Sequence, residues 1–419
     1  MTTEKTMDIT QFIYADNNAT TAVAPEVRDA ILPFLAEGFY NPSSMYPPAA
    51  SVAEKLREAR DSIALAFNAT DSSEILFTSC ATESNNHVIF GAAAANPARK
   101  HIITTKVEHP AVLEVCREME RRGYRVTYLP VDRHGRLNIS AFVRALEPGK
   151  TLLVSIMHAN NETGVLFPVA DLARITKETD PNILFHTDAT QSISKVSVSL
   201  SKNGTRNTHA ADWRYVDFVS CSGHKFHAPK GVGLLYIRKG ARIRPYLLGG
   251  HQESGRRGGT ENIPYIVGVA KALELAALAH VEANERLAKF QRDFESELLH
   301  TLDDVEINGQ DAARMGNTTN ISCHFVEGEA ILYELAEYKI CASSGSACTS
   351  GSLEPSHVLR AMGVPFTAIH GSTRFSFSRY TTAQDIDKIL DVFPKIINRL
   401  RAISPFSREN AKDTRGTRE

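Results

Sequence analysis

The sequence has no surplus of charge of either sign and no long hydrophobic stretch. Its 419 residues hold 47 lysines and arginines against 48 aspartates and glutamates. Proteins that bind nucleic acids or membrane surfaces usually carry a basic excess, so the balance argues against both classes. No apolar run reaches the roughly 18 residues of a membrane span, and the first fifteen residues lack the basic flank and apolar core of a secretory signal. We therefore expect a cytoplasmic protein.

Cysteine is scarce, and its spacing shows no CxxC pair and no zinc-type pattern. The six cysteines are Cys80, Cys116, Cys221, Cys323, Cys341 and Cys348. Without a secretory signal, such cysteines are expected to be reduced thiols rather than a disulfide framework. We predict no resident metal site.

The sequence does contain an alternation of strand-like and helical stretches. Seven runs rich in Ile, Val, Leu, Phe and Thr predict strands, namely EILFTS, HIITTKV, RVTYLPV, TLLVSIM, NILFHTD, DFVSCS and GVGLLYI. Helices are predicted near Pro25, over 111–122 and over 139–146. Runs this apolar, separated by helices, indicate an α/β protein with a largely parallel sheet covered on both faces. Ligands of such sheets gather at the carboxyl ends of the strands.

The pattern changes from about Val267, where a long helical stretch runs to Leu302. A smaller α+β unit follows, with strands in TNISCHF and STRFSFSR and helices over 327–338 and 383–403. We predict four parts: an N-terminal segment packing with the small domain (1–20), a large domain (21–280), a small domain (281–405) and a flexible tail (406–419).

One turn places a lysine directly after a strand. In VDFVSCSGHKFHAPKGVGLLYI, residues 216–237, Lys225 lies in a polar turn between two apolar runs. A partly desolvated amine loses its proton near neutral pH and can form a Schiff base with a carbonyl group. On this stretch alone, a solvated turn lysine is the alternative.

Other predicted strand ends also carry polar groups. EILFTSCATESNN opens a helix at about Ala81 and Thr82, where backbone N–H groups and a hydroxyl suit a phosphate, or form an ordinary helix cap. Asp188 follows NILFHTD, where a buried carboxylate needs a cation such as a protonated ring nitrogen, unless it caps the next turn. His109 follows HIITTKV and Asn161 follows TLLVSIM; simple packing and turn formation are their alternatives.

Taken together, these groups describe a pyridoxal phosphate site. They provide a phosphate cup, an anion for a ring nitrogen, a partner for the ring face and, in Lys225, an amine for the aldehyde. GGHQESGRRGGTEN, residues 249–262, adds glycines, two arginines and Thr260, which could wrap a phosphate or form a flexible surface loop.

A late stretch, CASSGSACTSGSLEPSHVLRAMG, carries Cys348 among small and polar residues. Such a run cannot pack a core, so we expect a mobile, accessible loop that ends at a helix near Pro355. A thiol on such a loop can reach into a site and leave it again. A free surface cysteine is the alternative, although it invites oxidation.

These motifs, in this order, resemble the cysteine desulfurases of the nitrogen-fixation and iron–sulfur-cluster type. The resemblance runs from about residue 13 to 395 and rests on DNNATT, NPSS, FTSCATESNN, VEHPAV, SIMHANNETG, HTDATQS, SGHKFHAPKGVG, GGHQESGRRGGTEN and SSGSACTSGSLEPSHVLRAMG. It implies a fold type I pyridoxal phosphate enzyme of the class V aminotransferase superfamily, and a homodimer that takes sulfur from L-cysteine, releases L-alanine and holds the sulfur as a cysteine persulfide.

The resemblance also implies roles for individual residues. Lys225 would bind the cofactor as a Schiff base, Cys348 would be the persulfide nucleophile and His109 would stack on the ring and act as acid or base. Asn161 and Arg374 would bind the substrate, and Arg374 would grip its carboxylate with the two-pronged guanidinium. The remaining cofactor contacts would be Ala81, Thr82, Ser222 and His224 at the phosphate, Thr260 from the other subunit, Asp188 at the ring nitrogen, and Asn161 and Gln191 on the ring oxygen side.

The chain departs from the family pattern at three places. MYPPAAS, with Tyr46, follows NPSS where a histidine and a glycine are usual; residues 200–214 form a longer link; and Ser254 stands where an arginine is common. A selenocysteine lyase, a class V aminotransferase and a non-catalytic binding partner of a sulfur scaffold are alternatives. An iron–sulfur scaffold or another sulfur acceptor is the expected partner, with a transient iron–sulfur contact through Cys348.

Overall fold

The computed structural model describes residues 12–203, 210–344 and 355–405. In chain order, the strands are β1 (Ile13–Tyr14), β2 (Ile75–Thr78), β3 (His101–Thr105), β4 (Arg125–Leu129), β5 (Thr151–Ser155), β6 (Leu184–Asp188), β7 (Val198–Ser199), β8 (Ala211–Asp212), β9 (Phe218–Ser222), β10 (Gly233–Ile237), β11 (Val305–Ile307), β12 (Thr318–Cys323), β13 (Ile340–Cys341), β14 (Ser343–Ser344) and β15 (Ser372–Ser376). The helices are α1 (Pro25–Ile31), α2 (Pro33–Ala36), α3 (Pro47–Ala66), α4 (Ala81–Ala95), α5 (Pro110–Arg121), α6 (Ile139–Ala145), α7 (Val169–Thr179), α8 (Ile263–Thr301), α9 (Gly328–Glu337), α10 (His357–Ala361), α11 (Phe366–Ile369) and α12 (Ala383–Ile403).

The seven predicted strand runs form one seven-stranded sheet in the order β2-β10-β9-β6-β5-β3-β4. Strand β10 is antiparallel to both of its neighbours, whereas the other paired strands run parallel. The predicted α/β architecture with a largely parallel sheet is therefore confirmed. Because β2, β3, β5, β6 and β9 point the same way, the residues that follow them meet at one edge of the sheet.

Six of the seven strands of this sheet are buried along their whole length, which explains why apolar residues occupy consecutive positions in them. Every residue of β2, β3, β5, β6, β9 and β10 is buried. Helices α4 and α5 contribute Val88, Ile89, Val112 and Met119 to the hydrophobic cluster that covers one side. A sheet that buries both faces needs apolar residues at consecutive positions, not only at alternate ones.

A second, antiparallel sheet has the order β11-β12-β15-β14. Its core contains Phe375, whose ring contacts those of Phe294 and Phe393 edge to face. The N-terminal strand β1 pairs in parallel with β13, so Ile13 lies opposite Ile340.

The chain divides into two compact units. The larger unit comprises residues 20–161 and 165–283, and the smaller one comprises the described residues up to Ala19, Glu162–Gly164 and those from Asn284 onward. The three residues Glu162–Gly164 belong to the smaller unit because they bond to it: Met315 N–H donates to the Gly164 carbonyl at 2.9 Å, and Asn320 Nδ2 donates to the Glu162 carbonyl at 3.3 Å.

Two elements differ from the sequence-based expectation. Helix α8 begins at Ile263, four residues before the predicted start. The twenty-residue helix α3 begins within the MYPP stretch, where the sequence pattern predicts no helix. Tandem prolines Pro47 and Pro48 occupy the first turn of α3, where a missing N–H costs nothing. None of the helices in the described ranges is long and apolar enough to cross a lipid bilayer.

Candidate active site

Lys225 lies at the carboxyl end of β9, in the single 3₁₀ turn Gly223–Lys225. Glycine is required at position 223 because a Cβ atom there would lie 2.9 Å from the Cβ of Ala228. The N–H and the hydroxyl of Thr21 both donate to the His224 carbonyl, each at 2.9 Å. The turn is thus packed against Ala228 and bonded to Thr21, and its lysine is half-buried.

Two features near this turn suit a phosphate. The hydroxyl of Ser222 is buried and has no hydrogen-bond partner among the described residues. Helix α4 begins at Ala81, and its N-cap residue, Cys80, makes no side-chain hydrogen bond to the first turn. Gly233 approaches Cys80 so closely that a Cβ would lie 2.6 Å from the Cys80 carbonyl carbon. The Ser222 hydroxyl and the backbone N–H groups at the start of α4 are hydrogen-bond donors that suit an anion.

Asp188 is buried at the carboxyl end of β6, and its two oxygens accept different bonds. Oδ2 accepts from Asn85 Nδ2 at 2.8 Å, and Oδ1 accepts from the Thr190 N–H at 3.0 Å. Asn85, on α4, was not singled out from the sequence. Its position one turn after Thr82 was the available signal, because residues three apart share a helix face.

His109 is the N-cap residue of α5, and its Nδ1 accepts the Ala111 N–H at 3.1 Å. An accepting Nδ1 places the proton of the neutral ring on Nε2, which is then a donor. The neighbouring Glu108 is buried; its carboxylate accepts from the Thr105 hydroxyl at 2.8 Å and from the Met157 N–H at 3.0 Å. Burial raises the pKa of Glu108 to about 8.

The other predicted cofactor contacts lie at the same edge. Gln191 is buried, Asn161 is half-buried, and the His224 ring Nδ1 lies 3.1 Å from the Thr20 hydroxyl. Burial, followed by the charge of Lys225, lowers the pKa of His224 to about 4.

Lys195 is a further lysine near the turn, and the sequence did not point to it. Its Nζ donates to the Gln191 carbonyl at 2.8 Å. Burial, followed by the charge of Lys225, lowers the pKa of Lys195 to about 7.

The two arginines of the 249–262 loop both donate hydrogen bonds to protein acceptors. Arg257 donates from Nε and Nη2 to Glu83, at 2.8 and 3.1 Å, and Arg256 donates to the Ser73 carbonyl at 2.7 Å. Both arginines thus have protein acceptors in this structure, and a contact of either one with a phosphate stays a prediction. Thr260, from the same loop, has an exposed side chain.

Arg374 belongs to the smaller unit, on β15, and is buried. Its Nη2 donates to Asp16 Oδ1 at 2.6 Å. Cys348 lies outside the described residues, and so does its loop from 345 to 354.

The three departures have local structural descriptions. Tyr46 is the N-cap residue of α3. Ser254 has a backbone φ of 58°. Strand β7 ends directly before the 200–214 insertion, and it pairs in parallel with β8, which lies within the insertion.

Comparison with known proteins gives the family. The model of the class-V aminotransferases matches residues 13–389. A cysteine desulfurase of Trichormus azollae is 51% identical over 400 residues, which cover 95% of this chain and 96% of the relative. The chain belongs to the cysteine desulfurases. This cysteine desulfurase also resembles a solved NifS-like protein, with a TM-score of 0.84, 36% identity, and coverage of 93% of this chain and 100% of that one. A structure of SspA in complex with cysteine matches it with a TM-score of 0.74, 32% identity, and coverage of 88% and 99%.

Membership of this family has a consequence for the cofactor. The class-V aminotransferase fold is generally a fold of pyridoxal phosphate enzymes. In this cysteine desulfurase, Asp188 and Ser222 end strands β6 and β9, and Ala81 and Lys225 follow β2 and β9, at the same edge of the large sheet.

Proposed function

We propose that this cysteine desulfurase takes the sulfur of L-cysteine, releases L-alanine and holds the sulfur as a persulfide on Cys348. The observation that carries the proposal is the arrangement of Lys225, Ser222 and Asp188 at one sheet edge, in a chain about half identical to a named cysteine desulfurase. The related SspA structure contains cysteine, which supports the choice of substrate.

The residues present fit pyridoxal phosphate. The buried Ser222 hydroxyl, unpartnered within the described ranges, and the uncapped start of α4 suit its phosphate. Asp188, oriented by Asn85, suits a protonated ring nitrogen because a buried carboxylate is stabilised by a cation. We assign the cofactor contacts to Ala81, Thr82, His109, Asn161, Asp188, Gln191, Ser222, His224, Lys225 and, from a partner copy, Thr260.

When bound, pyridoxal phosphate withdraws electrons from the Cα atom of the amino acid. Lys225 would hold the cofactor through its amine and, when that amine is free, would accept and return the Cα proton of the substrate. Arg374 binds the substrate carboxylate through its planar fork, and Asp16 fixes the orientation of that fork. His109, with Nε2 as donor, serves as an acid or base beside the ring.

The Cys348 thiolate attacks the sulfur of the substrate. A sulfur–sulfur bond forms as the carbon–sulfur bond breaks, the bonding electrons stay with the carbon, and the organic part takes up protons to leave as L-alanine. Thiolate is the reactive form, so the thiol proton must first pass to a base.

Two matched substitutions test the sulfur-transfer role. Cys348→Ala should retain the visible absorbance of bound cofactor but produce no alanine from cysteine, whereas Cys341→Ala, seven residues earlier, should remain active. Alanine formation by the Cys348→Ala enzyme would show that another group takes the sulfur.

Exchange of amino acids with keto acids in place of alanine release would indicate an aminotransferase, and turnover of selenocysteine alone would indicate a selenocysteine lyase.

A second pair tests the cofactor lysine. Lys225→Ala should lose the absorbance of covalently bound cofactor, because no amine is left at the turn, whereas Lys230→Ala, an exposed lysine of the same loop, should keep it. An unchanged spectrum in Lys225→Ala would move the role to another lysine. A purified wild-type protein that binds no pyridoxal phosphate would favour the non-catalytic alternative.

We further propose a cytoplasmic homodimer that passes its sulfur to an iron–sulfur scaffold or another acceptor protein. The exposed side chain of Thr260 suits a contact with a partner copy. Light scattering of the purified protein tests the dimer, and a pull-down with the persulfide form tests the acceptor.

A further inference from the structure

The loop over residues 249–262 follows a backbone path that L-residues rarely adopt. Three consecutive residues have positive φ, namely Glu253 (49°), Ser254 (58°) and Gly255 (75°). Two of them carry side chains, and a left-handed backbone is sterically unfavourable for such residues. Interactions elsewhere in the loop must therefore hold this conformation.

One ion pair holds the loop at its strained part. Arg60 donates from Nη1 to Glu253 Oε2 at 2.9 Å and from Nη2 to Oε1 at 2.5 Å. The Phe77 N–H, in β2, also donates to Glu253 Oε2 at 3.2 Å. The Glu253 carboxylate is almost fully buried, so this end of the loop is fixed to β2 and α3.

A second ion pair holds the loop three residues before Thr260. Arg257 binds both oxygens of Glu83 through its two-pronged donor, and the two side chains are only 19% and 12% exposed. Glu83 Oε2 also accepts the Ser79 N–H at 2.8 Å. Glu83, in the first turn of α4, therefore connects that helix to the turn before it and to the 249–262 loop, which carries Thr260.

The charges of this pair are stabilised by their contacts. Burial by itself would raise the pKa of Glu83, but the hydrogen bonds from Arg257 and Ser79 outweigh it and lower the pKa. The hydrogen bond to Glu83 likewise raises the pKa of Arg257. Both groups are ionised at neutral pH, and neither appears in the mechanism above.

We propose that Glu83 and Arg257 are a positioning pair for the cofactor phosphate. The pair joins the turn at Ala81–Thr82, assigned to the phosphate of its own protomer, to the loop whose Thr260 is assigned to the phosphate of a partner copy. The inference rests on the proposed function. The pair therefore holds two phosphate-binding groups in a fixed relation and links the phosphate site of one protomer to that of the other.

The fork geometry, rather than the net charge, is the basis of this role, and two conservative substitutions separate the two explanations. Arg257→Lys keeps the positive charge but loses the fork, because an ammonium group is a single point donor. Glu83→Gln keeps the shape but removes the negative charge near the phosphate. Positioning predicts weaker cofactor binding in both variants, whereas a pure charge effect predicts no change in Arg257→Lys and tighter binding in Glu83→Gln.

The test is a titration of the cofactor-free enzyme with pyridoxal phosphate and, separately, with pyridoxal, which has no phosphate. Both variants should bind pyridoxal phosphate about tenfold more weakly than wild type, as expected for one charge-assisted hydrogen bond. Their affinity for pyridoxal should be unchanged. Arg174→Lys and Glu178→Gln, which alter an exposed ion pair of the same unit, are the matched controls and should leave both affinities unchanged.

The ratio of the two affinities keeps the test decisive even if a variant is less stable. A general loss of structure weakens both ligands alike, whereas loss of positioning weakens only the one with a phosphate. Wild-type affinity for pyridoxal phosphate in both variants, or tighter binding in Glu83→Gln, would overturn the inference. If wild-type enzyme binds neither ligand, the proposed function itself fails instead.

Discussion

At the scale of single residues, the backbone of Ser254 is the clearest local conflict. Its φ of 58° lies in the left-handed region, yet its side chain is exposed and the residue is not a glycine. Glycine populates this region at no steric cost, although it also has more freedom to lose on folding. The relief of steric strain stabilises a glycine variant, and the larger loss of backbone entropy destabilises it. The steric effect is the larger of the two at an exposed site.

We expect Ser254→Gly to raise the midpoint of thermal unfolding by about 0.5–1 °C, which corresponds to roughly 0.5 kcal/mol. Differential scanning calorimetry of the cofactor-free protein measures it. The control is the next residue, Gly255, whose φ is 75° and whose Cβ would meet nothing within 4 Å. Gly255→Ala should lower the midpoint by a few degrees for backbone reasons alone. A lower midpoint in Ser254→Gly would contradict this explanation.

At the scale of elements, a buried arginine closes the insertion that separates β7 from β9. Arg238, just after β10, is only 8% exposed and donates to the carbonyls of Leu200, Trp213 and Val216, at 3.2, 2.9 and 2.7 Å. These carbonyls lie at both ends of the 200–214 link. A single guanidinium thus provides the donors that a regular strand pair would otherwise supply.

Replacing Arg238 with Met should destabilise the protein by about 2–4 kcal/mol, because buried carbonyls lose their donors. Trp213, the single tryptophan of the sequence, is buried beside them, so its fluorescence should shift to longer wavelength as water enters. Lys239→Met removes a neighbouring exposed contact to Asp71 and should change stability by less than about 0.5 kcal/mol. An unshifted emission spectrum and an unchanged midpoint in Arg238→Met would show that the arginine does not hold the insertion.

At the scale of the whole molecule, the larger unit buries several histidines that must be neutral. Burial lowers the pKa of five of them to about 4: His87, His101, His158, His186 and His224. The unfolded chain binds protons at these sites near pH 6.5, whereas the folded chain does not until about pH 4. The free energy of unfolding should therefore fall as pH falls from 6.5 to 4. Three buried carboxyl groups oppose this trend, because burial raises the pKa of Glu108 to about 8, that of Glu162 to about 7, and also that of Asp217, but they are three groups against five.

We expect the thermal midpoint, followed by Trp213 fluorescence, to fall by several degrees between pH 7 and pH 5. His101 offers a direct check, since its ring nitrogens lie 2.9 and 2.8 Å from the hydroxyls of Thr151 and Thr127. His101→Gln retains a side chain able to form hydrogen bonds but cannot take up a proton, so its midpoint should depend less on pH than that of wild type. A midpoint that stays level from pH 7 to pH 5 would argue against buried neutral histidines.

The sequence by itself determined the local elements and the edge at which the chemistry gathers. The seven apolar runs became the seven strands of the large sheet, and the last helix begins and ends at the expected residues, 383 and 403. These features follow from short-range properties: unbroken apolar runs need burial on both faces, and helices repeat every 3.6 residues. Polar residues directly after parallel strands then meet at one edge because the strands share a direction.

Only the tertiary structure decided which partner each polar group has. Asn85 orients Asp188 across 103 residues of chain, and Arg257 binds Glu83 across 174. The loop sequence alone did not indicate that Arg257 binds Glu83 or that Arg256 donates to the Ser73 carbonyl. The partner of a hydrogen-bond donor depends on which elements pack together, and the periodicity of the local sequence does not predict which elements these are. Glu162–Gly164 joined the smaller unit for the same reason, through bonds to residues about 150 positions away.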